Sequence, residues 1–156
     1  MSLKTNLKIL ILEDDPERHK LFIKNLIGHD VTIVDNVSEC ISLLDNNYYH
    51  FLFLDHDLGG NVYVESGGDE ETGYDVAKWM YEKYSKEGVS LDFLPLCILV
   101  HSLNPDGRKN IVGALKDMQK SGFCSDVAVR EAPFIWGKEG LAETLEHIFF
   151  MLATKH

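Results

Sequence analysis

An open sheet of five parallel strands with helices on both faces is the fold class that this sequence predicts. Three observations carry the prediction. Short apolar runs alternate five times with stretches of helical spacing. The central runs are apolar at every position, as strands are when both faces are covered. Three of the runs end abruptly in polar residues, as strands do where an α/β sheet builds a ligand site beyond its carboxyl ends. Phe51 to Gly60, FLFLDHDLGG, is the clearest case: four apolar residues, then Asp55-His56-Asp57, then a glycine pair.

The first strand is Lys8 to Leu12 (KILIL), ending in Glu13-Asp14-Asp15. Asp15-Pro16 suits an N-cap followed by proline at the first helical position, and Leu21, Phe22, Asn25 and Leu26 continue at helical spacing until Gly28 closes the helix. Val31 to Val34 is a short second strand, and Ser38 opens a helix with Ile41, Leu43 and Leu44 on its apolar side. The organising strand comes third. Gly59 to Thr72 (GGNVYVESGGDEET) is the least regular stretch and reads as a flap over the strand ends, since loops of this length inside a compact domain are usually functional or mobile. Gly73 to Lys86 carries Val76, Trp79, Met80 and Tyr84 at helical spacing, and Gly88 stops it. Leu94 to Val100 (LPLCILV) is the fourth strand and ends in His101-Ser102-Leu103-Asn104. Asn104-Pro105 repeats the cap-and-proline pattern at the head of a helix that runs to about Lys120, before Gly122. Asp126 to Arg130 reads as the fifth strand, Ala132-Pro133-Phe134 as its exit turn, and Leu141 to Leu152 as a last amphipathic helix. Trp79, Trp136, Phe149 and Phe150 fit core packing on helix faces.

Strands and helices in this alternation most simply take the flavodoxin-like order 2-1-3-4-5. The three polar strand ends then belong to neighbouring strands, roughly 4.8 Å apart, so their side chains can meet around one small ligand.

At 156 residues, with no linker, repeat or low-complexity tract, residues 1–156 read as a single domain with the 59–72 flap inserted. Asp plus Glu number 25 against 15 for Lys plus Arg, a net charge of -10, which argues against duplex nucleic acid or an anionic membrane as partner. Cys40, Cys97 and Cys124 lack metal-ligand spacing and read as reduced core cysteines. With no secretory or membrane segment, a cytoplasmic location is expected.

At this point the chain resembles a response-regulator receiver domain of the CheY-like type over nearly its whole length. The resemblance implies metal-binding carboxylates at Glu13 and Asp14 and a phosphoacceptor at Asp55, with phosphorelay signalling through a protein partner. The sequence departs from that pattern at two places. His101 stands where the switch threonine or serine belongs, with Ser102 one place on, and Ala132 replaces the lysine before Pro-Phe. Those departures are similar to the group described as cyclic-phosphate-processing receiver domains: Asp14-Asp15 with Arg18-His19, Asp55-His56-Asp57-Leu58, Thr72-Gly73-Tyr74 and His101-Ser102-Leu103-Asn104-Pro105. That resemblance implies a small phosphate-bearing ligand and a metal-dependent cyclic phosphodiesterase or a sensor, with a degenerate receiver that only binds protein as a further reading.

The residue chemistry gives each group two readings. Carboxylates from two strands suit Mg²⁺ or Mn²⁺, with Asp14 and Asp55 the first choices, while Asp14 or Asp15 equally suits helix capping. His101 and His56 are the side chains suited to moving protons near neutral pH, one activating water and one protonating the leaving alkoxide. Because side chains alternate along a strand, His56 is expected to point away if Asp55 points in, leaving His101 the better acid or base and His56 an anchor. Ser102 and Asn104 are candidates to hold phosphate at a helix N-terminus, with Asn104 equally an N-cap. Arg18 is either a phosphate clamp or a partner for Glu13 or Asp15.

Overall fold

The computed structural model describes residues 6–57, 71–86, 88–102, 104–120, 126–131 and 141–153. In order they form Lys8–Leu12 (β1), Pro16–Asn25 (α1), Asp30–Val34 (β2), Val37–Asn46 (α2), Phe51–Leu54 (β3), Gly73–Tyr84 (α3), Cys97–Val100 (β4), Pro105–Lys120 (α4), Ala128–Glu131 (β5) and Leu141–Ala153 (α5). The strands make one parallel sheet in the order β2-β1-β3-β4-β5, as the alternation predicts.

Both faces of the sheet are covered, and strand parity divides them. Leu10, Leu12, Leu52, Leu54, Ile98 and Val100 pack with the buried faces of α2, α3 and α4. Ile9, Ile11, Phe51, Phe53, Cys97 and Leu99 pack with Phe22 of α1 and with Leu141, Leu145 and Ile148 of α5. Every residue of β3 and β4 is buried, which is why these runs show no alternation in sequence. Cys40 and Cys97 are buried free thiols, and burial pushes each up to about 12, so neither is reactive.

Several boundaries move for local reasons. β4 begins at Cys97, not Leu94: Leu94 closes a turn onto the Leu91 carbonyl, and Pro95 has no N–H to donate to a ladder. Asn36 rather than Ser38 heads the second helix, accepting the Glu39 N–H. The first helix ends at Asn25, and Gly28 serves the following turn at φ +94°. β5 starts at Ala128, whose N–H bonds the Leu96 carbonyl, and extends to Glu131. Phe150 is 53% exposed rather than core, because the inward stripe of α5 runs through Leu141, Leu145 and Ile148.

Thr72 is a correction to the expected flap. It is fully buried and is the N-cap of α3, its hydroxyl accepting from the Tyr74 N–H while its own N–H donates to Asp75, a complete capping box. Glu71 is described and exposed, and the remainder of the flap, residues 59–70, lies outside the described residues, as do Leu103, Gly122, Cys124, the 132–134 exit turn and Trp136. Among the described residues no helix is long and apolar enough to cross a membrane.

At the opposite end of β1 from the polar strand ends, imidazoles take the place of strand pairing. The Leu7 N–H donates to His29 Nδ1 and the Lys8 N–H to His50 Nδ1, and the Lys8 carbonyl accepts from the His50 N–H. Burial, followed by Lys8, lowers the His50 pKa, so the folded state favours the neutral ring. Stability from His50 is therefore complete above its ordinary pKa of 6.5 and falls away at acid pH, where the unfolded chain takes up the proton more readily. Urea unfolding at pH 5 and pH 7 should show part of the acid loss vanish in His50→Asn, whose amide oxygen can accept the same N–H.

Candidate metal and phosphate site

Glu13, Asp55 and His101 each stand one residue beyond the end of a strand, and the pairing continues through them. The Glu13 N–H donates to the Val34 carbonyl, Asp55 to Leu12 and His101 to Leu54. The register pairs Ile11 with Phe53 and Phe53 with Leu99, and two residues on in each strand come Glu13, Asp55 and His101. Sharing phase with those apolar residues, the three polar groups emerge on the α1 and α5 face. All three are buried, and one ligand atom from each lies within 4.8 Å of the others.

The sheet fixes their backbones, and local bonds fix their side chains. The N–H groups of Asp14 and Asp15 both donate to Glu13 Oε2, so the chain leaving β1 wraps back over this carboxylate. Asp15 then caps α1, accepting from the Glu17 N–H, and Pro16 takes the first helical position. In that geometry Glu13 is the strand-one carboxylate gathered with Asp55 and His101, while Asp14 follows it one residue further along the chain. His101 Nε2 meets Glu13 Oε1 at 3.1 Å, and its ring lies edge-on to Phe22, centroids 5.3 Å apart. One turn before Phe22, Arg18 extends Nη1 to Glu13 Oε1 at 3.3 Å and to Asp55 Oδ2 at 3.4 Å, with Nε 3.6 Å from Asp15. Arg18 thus makes the expected pairs with Glu13 and Asp15 and adds a longer reach, to Asp55.

Two carboxylates this close divide one charge unequally. Burial, then the adjacent Glu13 charge and hydrogen bond, raise Asp55 to about 8, with Arg18 opposing. Burial also works against Glu13, but the His101 hydrogen bond and charge, the Asp15 amide and the Asp55 carboxyl outweigh it and hold Glu13 low. Burial lowers His101 despite the nearby Glu13. These shifts favour the ionised form of Glu13, the protonated form of Asp55 and the neutral ring of His101 near pH 7. Asp55 Oδ1 is buried with no hydrogen-bond partner among the described residues. A buried carboxylate oxygen left open beside a second carboxylate and an imidazole is a donor set that fits a divalent metal.

The residues out of phase with this cluster face the other layer. His56 is fully buried, its Nδ1 3.0 Å from Asp57 Oδ1, and Gly107 of α4 lies against its ring so closely that a Cβ there would be 2.4 Å from His56 Cγ. Asp57 Oδ1 also accepts from Asn104 Nδ2 at 3.2 Å, while Asn104 Oδ1 accepts the Gly107 N–H. Asn104 is therefore the N-cap of α4. Ser102 Oγ accepts the Asn104 N–H, leaving its hydroxyl proton available to a ligand. Arg108, which has no motif to mark it in the sequence, donates to the Ser102 carbonyl and pairs with Glu131 at the end of β5.

A model of the cyclic-phosphate processing receiver domain matches residues 9–117, from β1 into α4. The chain belongs to that family. The matched span of this receiver domain includes Glu13, Arg18, Asp55, His56, His101, Ser102 and Asn104. Solved structures bear out the fold. A CheY-like response regulator receiver domain protein from Methanospirillum hungatei JF-1 is 12% identical with a TM-score of 0.62, over 97% of this chain and 100% of that one. A response regulator from Thermotoga maritima is 16% identical at a TM-score of 0.58, over 94% and 99%. The structure of a histidine kinase, ThkA, in complex with the response regulator protein TrrA matches at 16% identity and a TM-score of 0.54, over 90% and 96%. A search of curated proteins found no match.

Proposed function

We propose that this receiver domain binds a divalent metal through Glu13, Asp55 and His101 and, beside it, the phosphate of a small cyclic phosphodiester, which it hydrolyses. The buried cluster of two carboxylates and one imidazole on three adjacent strands is the observation that carries this reading. The metal, when bound, supplies a Lewis acid for a phosphoryl oxygen and acidifies water. Exchanging the Asp55 proton for a divalent ion turns a neutral buried set, with Arg18 included, into a singly positive one. A cyclic phosphodiester carries one negative charge, so the exchange creates the complementary field. Arg18, drawn off the two carboxylates, is within reach of the incoming anion.

His101 and His56 take holding roles in this proposal in place of the proton transfers expected of them. Both rings are buried with a nitrogen on a carboxylate, His101 beside Glu13 and His56 beside Asp57. Asn104 contributes by fixing the head of α4. The test is turnover of 2′,3′- and 3′,5′-cyclic nucleotides with Mg²⁺ or Mn²⁺. Hydrolysis that requires metal and disappears in Asp55→Asn is the expected result. Metal-loaded protein that neither binds nor cleaves any member of the panel overturns the reading.

A second reading takes Asp55 as a phosphoacceptor served by a kinase. The open Oδ1 favours it, as does the kinase complex of a structural relative. It requires a base-labile phosphoryl mark on Asp55 after treatment with a small phosphoryl donor. Ala132 in the place of the receiver lysine weighs against that mark persisting.

A further inference from the structure

We infer that this site favours a first-row transition ion that accepts imidazole over Mg²⁺, and that His101 is the residue that discriminates between them. The inference rests on the metal-binding reading above and adds the class of the ion and the group that chooses it.

Three features support it. The first is the spacing of the donors. His101 Nε2 and Glu13 Oε1 are 3.1 Å apart. Neighbouring donors around an octahedral ion with bonds of about 2.1 Å lie about 3 Å apart, so an ion can join this pair with little movement of either side chain. The second is rigidity. The His101 backbone is held by the Leu54 carbonyl, and its ring is wedged edge-on against Phe22, with Phe53 tilted beside it at 6.0 Å. The side chain is fully buried, so turning it aside to admit a water in its place would open a gap between two phenyl rings. The third is what completes the cluster. Glu13 Oε2 is occupied by two backbone N–H groups, leaving Oε1 for the site, and the open Asp55 Oδ1 is the third donor.

The chemistry of the donors then separates the ions. Mg²⁺ dehydrates reluctantly, keeps several waters and takes oxygen ligands, whereas imidazole suits ions of the transition series. A wall that presents a fixed nitrogen where Mg²⁺ prefers water penalises Mg²⁺ against every ion of the transition series, and Mn²⁺, the weakest binder of that series and the nearest to Mg²⁺ in its ligand preferences, is the most demanding probe of the difference. Arg18 does not discriminate: its guanidinium lies between Glu13 Oε1 and Asp55 Oδ2 and competes with any cation equally.

The test is calorimetric titration of the full chain with MgCl₂ and with MnCl₂, in the wild type, Arg18→Ala and His101→Asn. The wild type should bind Mn²⁺ more tightly than Mg²⁺. Arg18→Ala should tighten both ions and leave their ratio unchanged, and His101→Asn should collapse the ratio. Pulsed electron paramagnetic resonance on the wild-type Mn²⁺ complex should show a directly bonded histidine nitrogen, a readout that does not depend on a variant folding. Equal binding of the two ions, or a Mn²⁺ complex without that nitrogen coupling, overturns the inference while leaving metal binding intact. Failure of both ions to bind overturns the metal reading itself.

Discussion

Gly73→Ala is expected to destabilise the protein by about 3 kcal/mol, a fall of roughly 6–12 °C in Tm for a domain of this size. A Cβ at Gly73 would sit 2.1 Å from the Asp55 carbonyl oxygen, 2.9 Å from its carbon and 3.2 Å from Ile111 Cδ1. Neither backbone is free to retreat. The Gly73 N–H donates to the His56 carbonyl, Asp55 is held in the ladder by Leu12, and the residue before Gly73 is the capping-box threonine of α3. The segment displaced by the collision is the one that carries Asp55, so metal affinity should fall with stability. Thermal unfolding with and without Mn²⁺ checks both. A Tm within about 2 °C of the wild type would mean that the head of α3 slides away freely.

The second large effect is a gain. In the metal-free protein Asp55 titrates at about 8 against an ordinary 3.8, chiefly from burial and then from Glu13. Between those values the folded protein retains a proton that the unfolded chain has released. Stability from this group is thus greatest below pH 4 and declines as the pH rises towards 8. Glu13 works in the opposite sense, but its contribution is complete above its ordinary pKa of 4.5 and leaves the neutral range to Asp55. Asp55→Asn keeps the shape and removes the charge, so at pH 8 it should be more stable than the wild type by about 2 kcal/mol. Mn²⁺ at a hundredfold excess over its Kd should stabilise the wild type by about 2.7 kcal/mol and the variant hardly at all. Urea titrations at pH 6, 7 and 8 decide the point: an equal pH slope in both proteins would show that Asp55 is ionised throughout.

What the sequence made legible here was the chemistry that is local. Asp15-Pro16 and Asn104-Pro105 announce helix starts because a cap and the residues it serves are neighbours in the chain, and both serve as caps in the structure. The strand order found is the simplest one that the alternation allows. The site was legible as three polar strand ends, but that Glu13 is the acid gathered with Asp55 needed phase across strands: the alternation that separates Asp55 from His56 also separates Glu13 from Asp14 once β1 is aligned with β3. Thr72 carries a capping signature, Thr-x-x-Asp, that is easily absorbed into the glycine-rich stretch before it. The bridge from Arg18 to Asp55, 37 residues away, and that from Arg108 to Glu131 depend on where a helix lies on the sheet, which local pattern does not encode.

Because Glu13, Asp55 and His101 are brought together by phase, the site is specified by counting as much as by residue type. Many substitutions within β1, β3 or β4 preserve the count. A single residue inserted or deleted in any one of them would turn its terminal group to the opposite layer, trading Asp55 for His56 or His101 for Ser102. Divergence among descendants of this sequence should therefore be permissive in side chain and intolerant of length within these strands. A library of one-residue deletions scored for metal binding would mark the three strands as a forbidden zone whose edges fall at Glu13, Asp55 and His101.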